Sequence, residues 1–393
     1  MSASSPDVLI VGGGVIGLSV ADAALRRDMS VLLLERERLG ARASWASAGM
    51  LTCRPWPDPK RKFPDYIDLT QASIALHAQW AARLLDETEI DVGFRRCGAL
   101  QLLTAEMNTP AELANLQRRL EGCKERNVRA TRLTSADVHA LEPHVDHTLI
   151  AAALEFPDDA QVRPPRLLRA LALACRQREA QIKEGVNVAE IMVENGRARG
   201  VRAADGTCYS AASVVVCAGA WTAQLMQGVA ERATEDRQPI SKQPEMGVSP
   251  QRIAKITPVR GQIVCYRTDH PDLCTRMLTV DEQYIVPRGD GVFLAGSTTE
   301  RVGFEAVTTR EGQGSLRQFA ARWLPALNGV EPLQGWADLR PGLKGPHPLL
   351  GSLPGIPNLY VAAGHYRNGV CLAPVSGEII AALLAGETTN FGF

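Results

Sequence analysis

The chain has 393 residues, 45% of them hydrophobic, and its 43 acidic and 43 basic residues cancel at neutral pH. A chain of this size buries substantial cores in about two domains, and without a basic excess it lacks the electrostatic footprint of a nucleic-acid binder. Met1 to Asp7 has no basic n-region or apolar h-region, and no apolar run reaches the roughly 20 residues of a membrane span, so a cytoplasmic protein is expected.

Val8 to Val11 reads as a buried parallel strand, Val15 to Arg27 as a helix, and Val31 to Leu34 as a second strand that ends at Glu35. Between strand and helix lies Gly12-x-Gly14-x-x-Gly17, which encloses Val15 and Ile16. Together these form a βαβ unit of dinucleotide-binding size. Gly12 permits the tight turn, Gly14 lets backbone approach a pyrophosphate, and Gly17 lets helix pack on strand. The helix N-terminus then faces the phosphates, and Glu35, followed by Arg36, is placed to accept from the ribose hydroxyls.

Further along, Leu69 to Glu87 has the spacing of an amphipathic packing helix, residues 91 to 104 alternate like a strand, and Thr109 to Arg126 reads as a helix. His77, His139, His144 and His147 fall here without a ligand pattern and read as structural. A helix from Leu167 to Arg178 precedes a small β-meander with turns at Asn195-Gly196 and Asp205-Gly206. Val214 to Cys217 is another buried strand, which ends in Ala218, Gly219 and Trp221 and can return the chain to the nucleotide sheet. Gly228 to Lys255 reads as a long surface loop, with a lid over the site as the alternative. Strands follow at Gly261 to Tyr266, Gln283 to Pro287 and Val292 to Gly296. The nine cysteines show no Cys-x-x-Cys pair and read as small hydrophobes, with no metal expected.

The chain closes with an apolar run and a second glycine turn, Gly364-His365-Tyr366-Arg367-Asn368-Gly369. Two such turns at opposite ends point to one nucleotide site built from both termini, which favours a flavin over a nicotinamide. Gly369 to Leu372, including Val370, is expected at the start of the last helix, with its positive end towards the flavin.

Five segments occur in order: Glu35, Ser44 to Leu51, Tyr284-Ile285-Val286-Pro287-Arg288, Trp336-Ala337-Asp338-Leu339-Arg340-Pro341, and the C-terminal glycine turn. Together they resemble the D-amino-acid-oxidase superfamily of flavoproteins, and within it the glycine oxidase group linked to thiamine biosynthesis. The resemblance implies non-covalent FAD, held in part by Ser44 and by Ser47, Ala48, Gly49 and Met50 at the flavin ring, by Val188 at the adenine, and by His365, Asn368, Gly369 and Val370. It implies that Arg340 grips the substrate carboxylate, that Tyr284 adds a hydrogen bond, and that Arg367 holds substrate or ring. A guanidinium fork suits that carboxylate. Two departures stand out: Asp338 occupies a position where the family commonly has Gly, and the Lys344-Gly345-Pro346-His347-Pro348 loop replaces an Asp-Gly pair.

The expected architecture is α/β. A Rossmann-like FAD domain with a β-meander comprises 1–85, 150–225 and 332–393, and an α+β substrate domain with an antiparallel sheet comprises 86–149 and 226–331. The expected reaction is oxidative deamination of a small amino acid, glycine first, with dioxygen as partner and hydrogen peroxide as product. The alternatives are a D-amino-acid or sarcosine-type dehydrogenase passing electrons to a quinone or carrier, and a non-catalytic flavin-binding protein. The resemblance also implies a homo-oligomer.

Overall fold

A computed structural model describes residues 5–54, 64–235 and 248–388. Its central sheet has six strands, in the order Leu349–Leu353, Ile356–Ala363, Ser213–Val216, Val8–Val11, Val31–Glu35 and Gln181–Glu184. All neighbours are parallel except the Leu349–Leu353 edge. Residues from the N-terminus, the middle and the C-terminus thus share one sheet, as the two glycine turns imply.

Strand alternation sends Val8 and Ile10 to one face and Leu9 and Val11 to the other. The first pair packs with Leu18 of helix Val15–Leu25, Leu171 of Pro164–Gln177 and Ile380 of Ala373–Ala385. The second packs with Ile191, Ala198 and Val201 of the expected meander, Val188–Glu194, Arg197–Ala203 and Cys208–Ser210. Burial on both faces explains why the central strands read as continuous apolar runs.

The second sheet has eight strands, in the order Gln334–Gly342, Thr257–Arg267, Val292–Gly296, Gln283–Pro287, Met277–Val280, Ala99–Thr104, Ile150–Phe156 and Thr131–Leu133. It is antiparallel apart from Met277–Val280 beside Ala99–Thr104, which run parallel. These two strands come from distant parts of the chain, so no hairpin imposes antiparallel pairing. Of the segments that the sequence division gives to the nucleotide side, strands Ile150–Phe156 and Gln334–Gly342 hydrogen-bond into this sheet.

Three local expectations are corrected. The strand within 91 to 104 covers only Ala99–Thr104, because Gly93 and Gly98 adopt φ of 69° and turn the chain. The final helix starts at Ala373, with Pro374 in its first turn, so Gly369 to Leu372 form a turn ahead of it. The proposed loop begins inside helix Thr222–Glu235 and ends beyond helix Pro250–Ile253, while 236–247 lie outside the described residues. Among the described residues no helix is long and apolar enough to cross a membrane.

Candidate active site

A cavity of about 780 Å³ is lined by residues of both sheets. Gly12, Gly14, Val15, Ile16, Glu35, Arg36, Ser44, Ser47, Ala48, Gly49, Met50, Val188, Ala218, Gly219, Trp221, Tyr284, Arg340, His365, Arg367, Asn368, Gly369 and Val370 all line it. Gly17 lies beneath. A Cβ there would fall 1.9 Å from the Gly12 carbonyl oxygen, which shows how closely helix and strand pack.

The N-terminal turn is held by its own side chains. Glu35 accepts from the Gly13 N–H at 2.7 Å and, through its other oxygen, from the Glu37 N–H at 2.8 Å. Ser44 Oγ accepts from the Val15 N–H at 2.9 Å, which leaves its own proton to donate. Arg36 stacks over Trp221 with 4.3 Å from Cζ to the ring centre. Gly12 adopts φ of 108°, and a Cβ on it would fall 2.5 Å from the Cys217 carbonyl oxygen. Two glycine-lined strand ends therefore meet at one cradle with no side chain between them.

The C-terminal turn is anchored from behind. His77 Nε2 lies 2.9 Å from the Val370 carbonyl oxygen, and Ser73 donates to that of Cys371 at 2.7 Å. Burial pushes the His77 pKa down to about 4, so the ring stays neutral. Asn368 donates to the Tyr66 hydroxyl at 2.6 Å. His365, buried and 2.9 Å from Ser376 Oγ, has its pKa lowered by burial to about 3. It is a neutral spacer between turn and helix.

The flavin-loop residues of the resemblance are pinned by groups whose role the motifs alone do not reveal. Arg288, 7% exposed, donates to the carbonyls of Ala48 (2.8 Å) and Val162 (2.9 Å) and to Gln161 Oε1 (2.7 Å). Burial, with Arg163 adding to it, lowers its pKa to about 10, which leaves it charged at neutral pH. Trp336 Nε1 donates to the Ala46 carbonyl at 2.9 Å. The only sequence signal for both was membership of the quoted motifs.

Tyr284 and Arg340 project into the cavity from the eight-stranded sheet, and each rests against a glycine. Tyr284 is paired across strands with Gly296, where a Cβ would fall 2.8 Å from the ring. Arg340 sits over Gly261 and donates through Nη1 to the Thr298 carbonyl at 3.0 Å. Burial pushes its pKa down. Asp338, 8% exposed, also faces the cavity and accepts from the Leu339 N–H at 2.7 Å.

The cavity arginines divide cleanly. Arg36 and Arg42 pair with Glu37 at 3.4 and 2.5 Å, Arg54 with Asp159 at 3.0 Å, and Arg367 with Glu282 at 3.2 Å. Among the described residues Arg340 has no carboxylate partner. A charge removed from water in this way calls for a counter-ion. The same residues fit a dinucleotide: a glycine cradle at two strand ends, a helix N-terminus beside it, and a single cavity that Arg340 also lines.

Comparison with known proteins agrees. A family model described as FAD dependent oxidoreductase matches residues 7–383. Glycine oxidase of Pseudomonas aeruginosa is 31% identical over 98% of this chain and 96% of its own length. The bifunctional protein ThiO/ThiG of Nostoc is 30% identical over 98% of this chain and 53% of its own length. The crystal structure of glycine oxidase from Geobacillus kaustophilus superposes with a TM-score of 0.86 at 29% identity, covering 98% of this chain and 96% of that one. The chain therefore belongs to the DAO family of FAD-dependent oxidoreductases.

Proposed function

We propose that this enzyme oxidises a small amino acid, glycine first, to the imine, which water converts to glyoxylate and ammonia while dioxygen becomes hydrogen peroxide. The observation that carries this reading is Arg340, the cavity arginine that has no carboxylate partner among the described residues. Its fork accepts a substrate carboxylate, and the Tyr284 hydroxyl donates a second hydrogen bond to it. The relatives named glycine oxidase support the choice of amino acid.

The nucleotide is held by the Gly12–Gly17 turn, Glu35 and Ser44, and its ring end by Ala48 to Met50 and the Gly364–Gly369 turn. FAD bound there would supply the hydride acceptor for the substrate α-carbon. Arg340 and Tyr284 fix the carboxylate so that this carbon is presented in one orientation, which removes part of the entropic barrier. The substrate enters with a neutral amine, so no protein base is assigned. The six-stranded sheet and the meander form the cofactor side, and the eight-stranded sheet forms the substrate side.

The test is an anaerobic titration of the holoenzyme with glycine, followed at the long-wavelength flavin band, and then admission of air. Bleaching, with recovery and peroxide on aeration, is expected. Absence of bleaching would remove glycine as substrate, and recovery only with an added quinone would reassign the enzyme as a dehydrogenase.

A further inference from the structure

Arg340 and Arg367 line the same cavity, and the charge of Arg367 acts on Arg340. Two free guanidinium groups in one pocket would favour a ligand carrying two anionic groups. Arg367, however, is not free. Its Nη1 meets Glu282 Oε2 at 3.2 Å and its Nη2 donates to the Glu282 carbonyl at 2.5 Å. Glu282 Oε2 is steadied by the Thr299 hydroxyl at 2.9 Å.

The two partners come from different sheets. Glu282 sits in the turn between Met277–Val280 and Gln283–Pro287, beside Asp281 at φ of 51°. Arg367 sits in the turn after Ile356–Ala363, beside Tyr366 at φ of 49°. Both turns line the cavity. A partly exposed ion pair contributes little to stability, but it does determine which charges a ligand meets.

We propose that Glu282 is a specificity-determining residue: by occupying Arg367 it leaves one guanidinium open to substrate, and so restricts the site to amino acids with a single carboxylate. A second carboxylate on the ligand would find Arg367 taken and would meet the like charge of Glu282. This rests on the amino-acid oxidase reading above, and it narrows the substrate class to amino acids without a second acidic group.

The test uses acetate and malonate as unreactive probes of the holoenzyme, with binding read from the perturbed flavin spectrum, so that it needs no turnover. The parent is expected to bind malonate no more tightly than acetate. Glu282→Gln preserves shape and removes the charge, and should shift the malonate-to-acetate affinity ratio by about tenfold towards malonate, the scale of one charge-assisted contact. Glu282→Ala, which removes the residual amide contact, should shift it at least as far. Adding Arg367→Gln to Glu282→Gln should cancel the gain.

A ratio that stays within about twofold of the parent in both single variants would overturn the proposal, since a purely structural clasp would not select between anions. A gain that survives loss of Arg367 would overturn it too. Failure of both anions to perturb any variant would remove the carboxylate site and this proposal with it. A shifted ratio in an enzyme that glycine does not reduce would support the proposal and remove only glycine as substrate.

Discussion

The guanidinium of Arg340 rests on Gly261: a Cβ built on Gly261 would fall 2.0 Å from Arg340 Nη2 and 2.2 Å from Cζ. The two residues are diagonal neighbours on adjacent strands, since Val259 is opposite Arg340 and Gly261 is opposite Asp338. The glycine is therefore the floor beneath the guanidinium that we propose grips the substrate carboxylate. Because the clashing atoms are the far end of a flexible side chain, a methyl group at 261 would move the fork and spare the fold.

Gly261→Ala is accordingly expected to keep FAD and to raise the apparent KM for glycine by about tenfold or more, the worth of a displaced charge-assisted contact. Arg340→Ala should raise it further, again with FAD retained. Steady-state kinetics beside the flavin absorbance of each purified variant checks both, and an unchanged KM in Gly261→Ala would show that the fork does not depend on this floor.

Asp338 supplies a pH signature. Burial raises its pKa from 3.8 to about 6, against the Leu339 N–H and Arg42, with Glu37 adding to the rise. A carboxyl group whose folded value is raised contributes stability that is fully present below the unfolded value and is lost as pH climbs through the folded one. The parent should lose up to about 3 kcal/mol between about pH 4 and about pH 6. Asp338→Asn should remove that slope and be the more stable protein at neutral pH, a difference that thermal unfolding across the range would reveal.

These two residues show what a single sequence discloses. The βαβ unit, the meander and the closing glycine turn were legible because each is local: an apolar run, a glycine and a helical period lie within a short span of chain. Gly261 was not, since a glycine inside a strand reads as a weak position until long-range register sets it against Arg340. The parallel pair at Met277–Val280 was hidden for the same reason. Asp338 could be noticed as a departure, yet its burial in the cavity wall could not.

Arg288 offers a stability test independent of substrate. It is the common donor to Ala48, Val162 and Gln161, so Arg288→Ala would strand the Ala48 carbonyl in the Ser47–Met50 loop and two buried acceptors in the Gln161–Val162 segment beside it. A loss of about 3 kcal/mol or more is expected, with weaker FAD retention. Chemical denaturation of the apoprotein, beside flavin release from the holoenzyme, separates the two effects. An apoprotein as stable as the parent would mean that the loop finds other donors.

The two glycines of the N-terminal turn should fail differently. A Cβ on Gly17 would fall 1.9 Å from the Gly12 carbonyl oxygen, a backbone atom that cannot withdraw, whereas one on Gly14 would fall 3.1 Å from Ser44 Oγ, a side chain that can turn away. Gly17→Ala must therefore open the helix from the strand, and we expect a colourless, poorly folded protein. Gly14→Ala keeps the packing but adds bulk where the pyrophosphate approaches, so it should fold with the parent's circular dichroism and bind FAD more weakly. Equal FAD affinity in Gly14→Ala and the parent, measured by quenching of free-flavin fluorescence, would place the pyrophosphate away from this turn.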